Sequence, residues 1–435
     1  MKHPLKISVG IVDRQAEISG YLDGNFFGDE FGPVSGRFSA KVMEEAIVLF
    51  NQAHRQISRS PSIRLRAEKG SFFSLFNVTI GNRFHWERTE DQTFQGSLIL
   101  RLRKEGMICA INEIPLEDYL ISVISSEMGG EAPMEFLKAH AILSRSWLLA
   151  ALDRKEKTKG PSIQPKKMTE GEIIRWYDRQ DHDLFDVCSD DHCQRYQGTK
   201  KIVSKQAKEA VRITHGKVMI FQDEVCDARY SKACGGITEN SDTAWNDKRV
   251  PYLTSIPDAP FPHQQIRTEK EASRWILSKP EVYCHTTDES LFEKILPGFD
   301  RETKDYFRWR IEYSRTELQE ILREKSGFDF GTLKEIVPLN RGPSGRVSRL
   351  KIVGSKKSMV VGKELEIRRW LSRSHLYSSA FIVTSDAERF IFHGAGWGHG
   401  VGLCQIGAAV MASRGFSAEE ILRHYFRDVE IKKIY

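Results

Sequence analysis

The segment Phe392–Gln405 constrains this chain more than any other. It reads Phe-His-Gly-Ala-Gly-Trp-Gly-His-Gly-Val-Gly-Leu-Cys-Gln, with glycine at every second position from 394 to 402. An interior strand would lose packing and backbone order at each of those glycines. A flexible linker would not set His393, Trp397 and His399 among them. The composition predicts an irregular loop whose backbone comes close to a ligand and which aims an aromatic ring and an imidazole at it. Small apolar residues from Cys404 to Ala412 follow and suit the start of a helix. Strand, glycine loop and helix start therefore arrive in an order that builds sites.

A chain of 435 residues exceeds what one hydrophobic core organises, so two or three domains are expected. No apolar run reaches the length of a membrane span. Between Met1 and Arg14 no apolar stretch of a secretory leader develops, so no signal peptide is visible. A net charge of +6 is compatible with an anionic polymer, cell wall or nucleic acid, and is diagnostic of neither. Seven cysteines, an odd number, exclude a framework in which every thiol pairs within the chain.

Residues 1–105 read as a β-rich region: strands at 5–12, 62–67, 75–80 and 96–103, with an amphipathic helix over Ser39–His54, and a further strand at 107–111. At Asn112 the character changes. Pro115 with Glu117 and Asp118 opens a helix over Leu116–Glu127, and Pro133–Leu152 carries a broad apolar face for a second. Arg154–Glu172 reads as a polar surface excursion. Strands at 199–202, 210–214 and 218–222 lead into Tyr230–Gly236. Residues 262–330 are charged and mostly helical in pattern (270–277, 289–295, 315–325). Strands return at 336–338, 347–353 and 359–361, then a hairpin pairs 381–384 with 389–392 ahead of the glycine loop, and a short helix covers 418–425.

His182, Cys188, His192 and Cys193 place two imidazoles and two thiols within twelve residues, the ligand set of a closed tetrahedral zinc site. Four protein ligands leave no open position for water, so the expected role is structural. The alternative is a polar surface stretch with Cys188 and Cys193 paired or free. Asp181, Asp186, Asp190 and Asp191 read as solvated turn residues. Cys109, Cys226, Cys234, Cys284 and Cys404 show no ligand spacing and read as buried thiols.

Three segments together, Asn112–Glu127 with Lys138–Ser146, Tyr230–Thr238, and Phe392–His424, strongly resemble the SpoIID/LytB family of bacterial cell-wall proteins, which includes stage II sporulation protein D and the amidase enhancer. The resemblance runs from about Gly106 to the last residue and is only loose over 1–105. It implies a lytic transglycosylase acting on peptidoglycan glycan strands. It makes Glu127 the catalytic acid, with Gly129 standing where the family has proline. It matches Lys138 and Arg145 to basic residues of the following helix; seven positions apart, they share a face and serve substrate oxygens or the structure. Some members hold zinc with a His/Cys set in the region of His182–Cys193.

The chemistry suits one carboxyl group. Ordinary glycosidases use two, but when the sugar's own 6-hydroxyl attacks C1, a single Glu can take that proton and protonate the leaving oxygen. Burial beside apolar walls such as Met128 and Trp397 would favour its protonated form. Tyr230 and Ser231 could present a phenol and a hydroxyl across the Gly235-Gly236 turn, and His399 and Gln405 could orient substrate or other side chains. The expected architecture is α+β: a mixed β-sheet core with a helical layer forming a glycan-binding groove, after a β-rich N-terminal region. In domain terms this gives 1–105, then 106–435 with 262–330 as an inserted lobe. The expected location is extracytoplasmic, with peptidoglycan and a cell-wall amidase as the candidate partners and no nucleic acid. A non-catalytic amidase enhancer is the second reading, and a cytosolic zinc protein the third. A phosphate loop is disfavoured, since no Gly-Lys-Ser/Thr follows the glycines.

Overall fold

Apolar–polar alternation, broken by glycines and left-handed turns, folds the N-terminal region into ten strands: β1 (Lys6–Gln15), β2 (Glu17–Phe27), β3 (Pro33–Met43), β4 (Ala46–Asn51), β5 (Gln56–Ser60), β6 (Ser62–Ala67), β7 (Phe72–Ile80), β8 (Arg88–Gln95), β9 (Ser97–Leu102) and β10 (Ile108–Pro115). The computed structural model describes residues 5–81, 87–157, 166–177, 182–199, 204–262, 266–296, 298–302 and 305–435. Its fold is α+β, with mixed sheets, helices and this β-rich beginning. It divides into two compact units: 1–131 with 181–215 and Tyr435, and 132–180 with 216–434.

In the first unit the strands run in the order β1, β10, β9, β6, β2, β3, β4, β5, with β7 and β8 branching from β2. The helix expected over Ser39–His54 is instead the end of β3, a tight turn and β4. Glu44 and Glu45 take positive φ (46° and 60°) and Met43 pairs with Ala46, a two-residue hairpin turn. The apolar residues at 42, 46 and 49 satisfy helical spacing, and the turn at Glu44–Glu45 has no glycine or proline to announce it, which is why periodicity misreads them. α1 (Leu116–Glu127) starts at Pro115 with Glu117 and Asp118 in its first turn, where the helix dipole favours acids. Its buried stripe of Leu116, Leu120 and Val123 ends on Glu127, so a carboxyl group occupies an apolar position. α3 (Lys205–Ile213) replaces the strand expected at 210–214. Ser204 caps it, accepting from the N–H groups of Gln206 and Ala207, and Ala207, Ala210 and Val211 form its buried face. Most of the strand expected at 199–202, Asp181, and the middle of the Arg154–Glu172 stretch lie outside the described residues.

A loop of residues 182–199 lies against this sheet. Val187–Cys188 pairs in parallel with Val9–Gly10, and Asp186 accepts from the N–H and hydroxyl of Ser8 at 2.9 and 2.7 Å, so Asp186 is not a solvated turn residue. Tyr196 stacks between Phe94 and Tyr119, with centroids at 5.9 and 5.1 Å. Its hydroxyl donates to Asn112 Oδ1 at 2.6 Å, and Asn112 Nδ2 donates to the Gln95 carbonyl at 2.9 Å.

The second unit is organised around α2 (Met134–Lys157). Beside Phe136, Leu137 and Leu143 it buries His140, Ser144, Arg145 and Ser146, all at 0% exposure. These polar groups bond to neighbouring elements. Arg145 Nη1 donates to the Lys217 carbonyl at 3.0 Å, and Ser146 Oγ accepts from the Met219 N–H at 2.9 Å. His140 lies between Ser144 Oγ at 3.3 Å and Gln405 Nε2 at 3.1 Å. α2 is thereby tied to the strand Lys217–Phe221, which pairs with Glu430–Lys433, and to the helix Gln405–Ser413. A second core lies between the sheet of Leu333–Arg341, Val347–Gly354 and Ser358–Gly362 and the helices Arg315–Ser326 and Glu364–Trp370. Residues 262–330 contribute the strand Arg308–Ser314, which pairs with Arg389–Ala395, the strand entering the glycine loop. Trp309 faces Gly394 there, and a Cβ on Gly394 would lie 2.0 Å from the indole.

Two expectations follow from these buried polar groups. Tyr196→Phe removes a buried donor from Asn112 Oδ1 and should lower the unfolding free energy by about 1–3 kcal/mol in a urea titration. Burial, with Lys232 nearby, pulls the His140 imidazole from 6.5 down to about 3. Below 6.5 the unfolded chain takes a proton there that the folded one refuses. Stability should therefore be lost as pH falls from 6.5 towards 3, by about 1.4 kcal/mol per pH unit from this group. His140→Gln should flatten that part of the stability–pH curve.

Candidate active site and metal centre

In the first unit Glu127 is the last residue of α1, 7% exposed, beside the fully buried Met128. Its Oε1 accepts the backbone N–H of Arg195 at 2.9 Å. The loop carrying Arg195 is held on both sides of that bond. The Tyr119 hydroxyl donates to Gln194 Oε1 at 3.2 Å, Arg195 Nε donates to Asp191 Oδ1 at 3.0 Å, and the Tyr196 N–H donates to the Ser189 carbonyl at 2.9 Å. Asp191 is thus an ion-pair partner and not a free turn acid.

The same loop holds His182, Cys188, His192 and Cys193, whose ligand atoms all lie within 4.8 Å of one another. His182 Nε2 is 3.4 Å from Cys193 Sγ, and His192 Nδ1 is 3.4 Å from Cys193 Sγ and 3.8 Å from Cys188 Sγ. Tetrahedral bonds of about 2.0–2.3 Å put donor atoms roughly 3.3–3.8 Å apart, so the four residues fit one zinc-sized ion. Cys193 is two residues from the amide that contacts Glu127.

In the second unit Tyr230–Ser231 pairs in parallel with Leu403–Cys404. Ala233 and Trp397 exchange backbone hydrogen bonds, at 2.7 and 3.2 Å. The sequence motif at 230–236 and the glycine loop are therefore one structure. Gly396, Gly398, Gly400 and Gly402 all take positive φ, between 73° and 91°. The close approaches they permit are internal: a Cβ on Gly400 would sit 2.3 Å from the Arg346 guanidinium carbon, and one on Gly402 would sit 2.1 Å from the Arg229 carbonyl oxygen. At these two positions glycine is required by the packing of the loop on its own frame.

Arg346, at 0% exposure, is the centre of that frame. Its Nη2 donates to the Gly398 carbonyl and its Nη1 to the Cys234 carbonyl, each at 3.0 Å. Nη1 also donates to Ser344 Oγ at 3.0 Å, and that hydroxyl donates to the buried Glu239 at 2.6 Å. His399 Nδ1 accepts the Val401 N–H at 3.0 Å, and its ring lies 4.9 Å from that of Trp245. Burial, with Arg229, Arg346 and Arg368 around it, holds the His399 imidazole well below its ordinary range and hence neutral. Trp397 is half-buried and stacks on Tyr377 at 4.3 Å, with Tyr306 at 4.7 Å, an aromatic platform at the loop's turn.

Among the expected site residues this unit gathers Tyr230, Ser231, Gly235, Gly236, Trp397, His399 and Gln405. Tyr230 is half-buried, edge-on to His140 at 5.0 Å, and Ser231 Oγ is buried without a hydrogen-bond partner. Gln405 and Arg145 are buried at 2% and 0% exposure, and their hydrogen bonds hold the frame. Lys138 pairs with Glu135 at 2.6 Å, and Glu135 also accepts the Ala418 N–H at 2.9 Å. Sequence reasoning gave no role to Arg346, Glu239 and His140, since nothing in the local sequence marks a polar residue as buried. It also missed a second group of ligand atoms within 4.8 Å of one another, Cys234, Asp258, Cys284 and Cys404, because its members are scattered along the chain.

Among the described residues no helix is long and apolar enough to cross a membrane. Residues 104–221 match the family model of the stage II sporulation protein, SpoIID, and residues 239–402 match a domain of unknown function, DUF8618. Stage II sporulation protein D of Bacillus amyloliquefaciens is 26% identical over 327 residues, 74% of this chain and 76% of the relative. Its counterpart in Bacillus subtilis (strain 168) is 22% identical over 326 residues, again 74% and 76%. The amidase enhancer of Bacillus subtilis (strain 168) is 25% identical over 243 residues, 51% of this chain and 32% of that protein. Residues 104–221 are thus a SpoIID domain, and with the joined motifs at 230–236 and 392–405 these likenesses support placing the chain with the SpoIID/LytB family.

Proposed function

We propose that this protein has a cell-wall role and is a peptidoglycan lytic transglycosylase working outside the cytoplasm, with Glu127 as its general acid and base. The observation that carries the reading is the Glu127 carboxyl group, buried on the apolar stripe of α1 and fixed through one oxygen by the Arg195 N–H. In the reaction the muramyl 6-hydroxyl attacks C1, and Glu127 takes its proton. The C1–O bond to the next sugar breaks, and the departing oxygen receives a proton from the same carboxyl. No water enters, and the product carries a 1,6-anhydro ring. Trp397 with Tyr377 offers an apolar face on which a sugar ring can lie, and Ser231 Oγ is a hydroxyl with its hydrogen bonds unspent. Residues His182, Cys188, His192 and Cys193 would hold zinc, which supplies a structural cross-link fixing the loop that carries the Arg195 amide.

The likeness to the amidase enhancer favours a second reading, a glycan-binding partner of an amidase. The two part at Glu127. Digestion of purified cell wall should give 1,6-anhydromuramyl ends, and Glu127→Gln should reduce their formation by about 10²–10⁴-fold. Wild-type protein that yields no such ends, or a Glu127→Gln variant that yields them at the wild-type rate, would overturn the enzyme reading. Undiminished amidase stimulation by Glu127→Ala would then favour the enhancer. Cys188→Ser should lower anhydro-product formation by roughly 10–100-fold while sedimentation with insoluble cell wall is retained, because it loosens the frame of Glu127 and leaves the aromatic platform intact.

A further inference from the structure

Cys234, Asp258, Cys284 and Cys404 come from four separate stretches of the second unit and converge on one point. Their ligand atoms all lie within 4.8 Å of one another. All four residues are buried, Asp258 and Cys404 at 0% exposure and the other two at 2%. The Cys234 and Cys284 sulfurs are 3.8 Å apart, against about 2.05 Å in a disulfide. Two thiolates bound at about 2.3 Å on a tetrahedral ion would lie about 3.8 Å apart. The spacing of the group leaves room for one ion and none for an iron–sulfur cluster.

The surroundings are those of a ligand set. The Cys284 N–H donates to Asp258 Oδ2 at 2.8 Å, and the Tyr425 hydroxyl donates to Oδ1 at 2.5 Å, which fixes the plane of the carboxyl. The sulfurs accept backbone donors as well: the Gly236 N–H reaches Cys234 at 3.3 Å, and the Cys234 N–H reaches Cys404 at 3.2 Å. Outer hydrogen bonds of this kind orient metal ligands and stabilise thiolates. A carboxyl group wholly removed from water beside three thiols is costly as an anion unless a cation accompanies it.

We propose that Cys234, Cys284, Cys404 and Asp258 form a closed tetrahedral site for a single divalent ion of the zinc class. The site is separate from the His182–Cys193 cluster, which belongs to the other unit. With four protein ligands it has no open position, so the ion is structural. It cross-links Cys234, in the turn after the strand Tyr230–Ser231, to Cys404, the residue that opens the helix after the glycine loop, and so joins the two motif segments through metal.

The test is metal content of the full chain, purified under reducing conditions and measured by plasma mass spectrometry and native mass spectrometry. Wild type should carry two tightly held equivalents of zinc. The Cys188→Ser, Cys193→Ser double variant should keep one, and adding Cys284→Ser should remove it. Cobalt(II) bound to the double variant should give intense tetrahedral ligand-field bands with thiolate charge transfer, both lost on adding Cys284→Ser. Asp258→Asn, a milder change, should weaken cobalt binding by at least tenfold. A wild-type protein with a single equivalent that vanishes in the double variant would overturn the proposal. So would a double variant that binds cobalt without thiolate charge transfer, or a Cys234–Cys284 disulfide found by peptide mapping. None of these readouts depends on glycan cleavage, so the site stands or falls apart from the proposed activity.

Discussion

One guanidinium group governs the architecture of the second unit. Arg346 is fully buried and spends its donors on the carbonyls of Gly398 and Cys234, residues from two segments far apart in the chain, and on Ser344. A carbonyl that is not in a helix or a sheet must still find a donor when it is buried. The glycine loop has several such carbonyls and few partners of its own. Arg346 supplies the Gly398 carbonyl, the Ala233 and Glu239 N–H groups meet those of Trp397 and Gly400, and a side chain at 400 would occupy the guanidinium's place. Glu239, reached through Ser344, balances the charge within the same buried network. The loop's irregular path is thereby fixed by a polar core rather than by apolar packing alone.

This division explains what could and could not be read from the residues. α1, the hairpin ahead of the glycine loop and the helix Ala418–Tyr425 were legible because apolar period, caps and turns all agree there. The β3–β4 hairpin was misread because the spacing 42, 46, 49 is helical, while the left-handed pair Glu44-Glu45 that turns the chain carries no glycine or proline. α3 was misread because its short apolar face is also a β-prone run. The glycines at 396–402 were rightly marked as a place of close approach, and at 400 and 402 atoms of the protein itself come close. Nothing local distinguishes a glycine that makes room for a ligand from one that makes room for Arg346.

Glu127 was marked by the family resemblance and not by periodicity. The helix that buries Leu116, Leu120 and Val123 brings residue 127 onto the same stripe, so the acid is buried where residue type alone would leave it solvated. What periodicity could not supply was its partner, the Arg195 amide, some seventy residues on in a loop that has little regular structure. That loop owes its shape to Tyr196 wedged between two rings and to a knot of imidazoles and thiols, features that interact only once the sheet beneath them exists.

The parallel pairing of Tyr230–Ser231 with Leu403–Cys404 has a bearing on how the molecule comes into being. The two strands are only two residues long and are separated by roughly 170 positions, so neither has local contacts that would hold it in place while the other is awaited. Closing so long a loop carries an entropic cost that two backbone pairings cannot offset. The pairing therefore depends on the intervening sheets and helices already being folded. On a ribosome the N-terminal sheet and the helix bearing Glu127 can form long before the Trp397 platform has any partner to rest on. An aromatic platform assembled last leaves the nascent chain without that surface until nearly all of the second unit is in place.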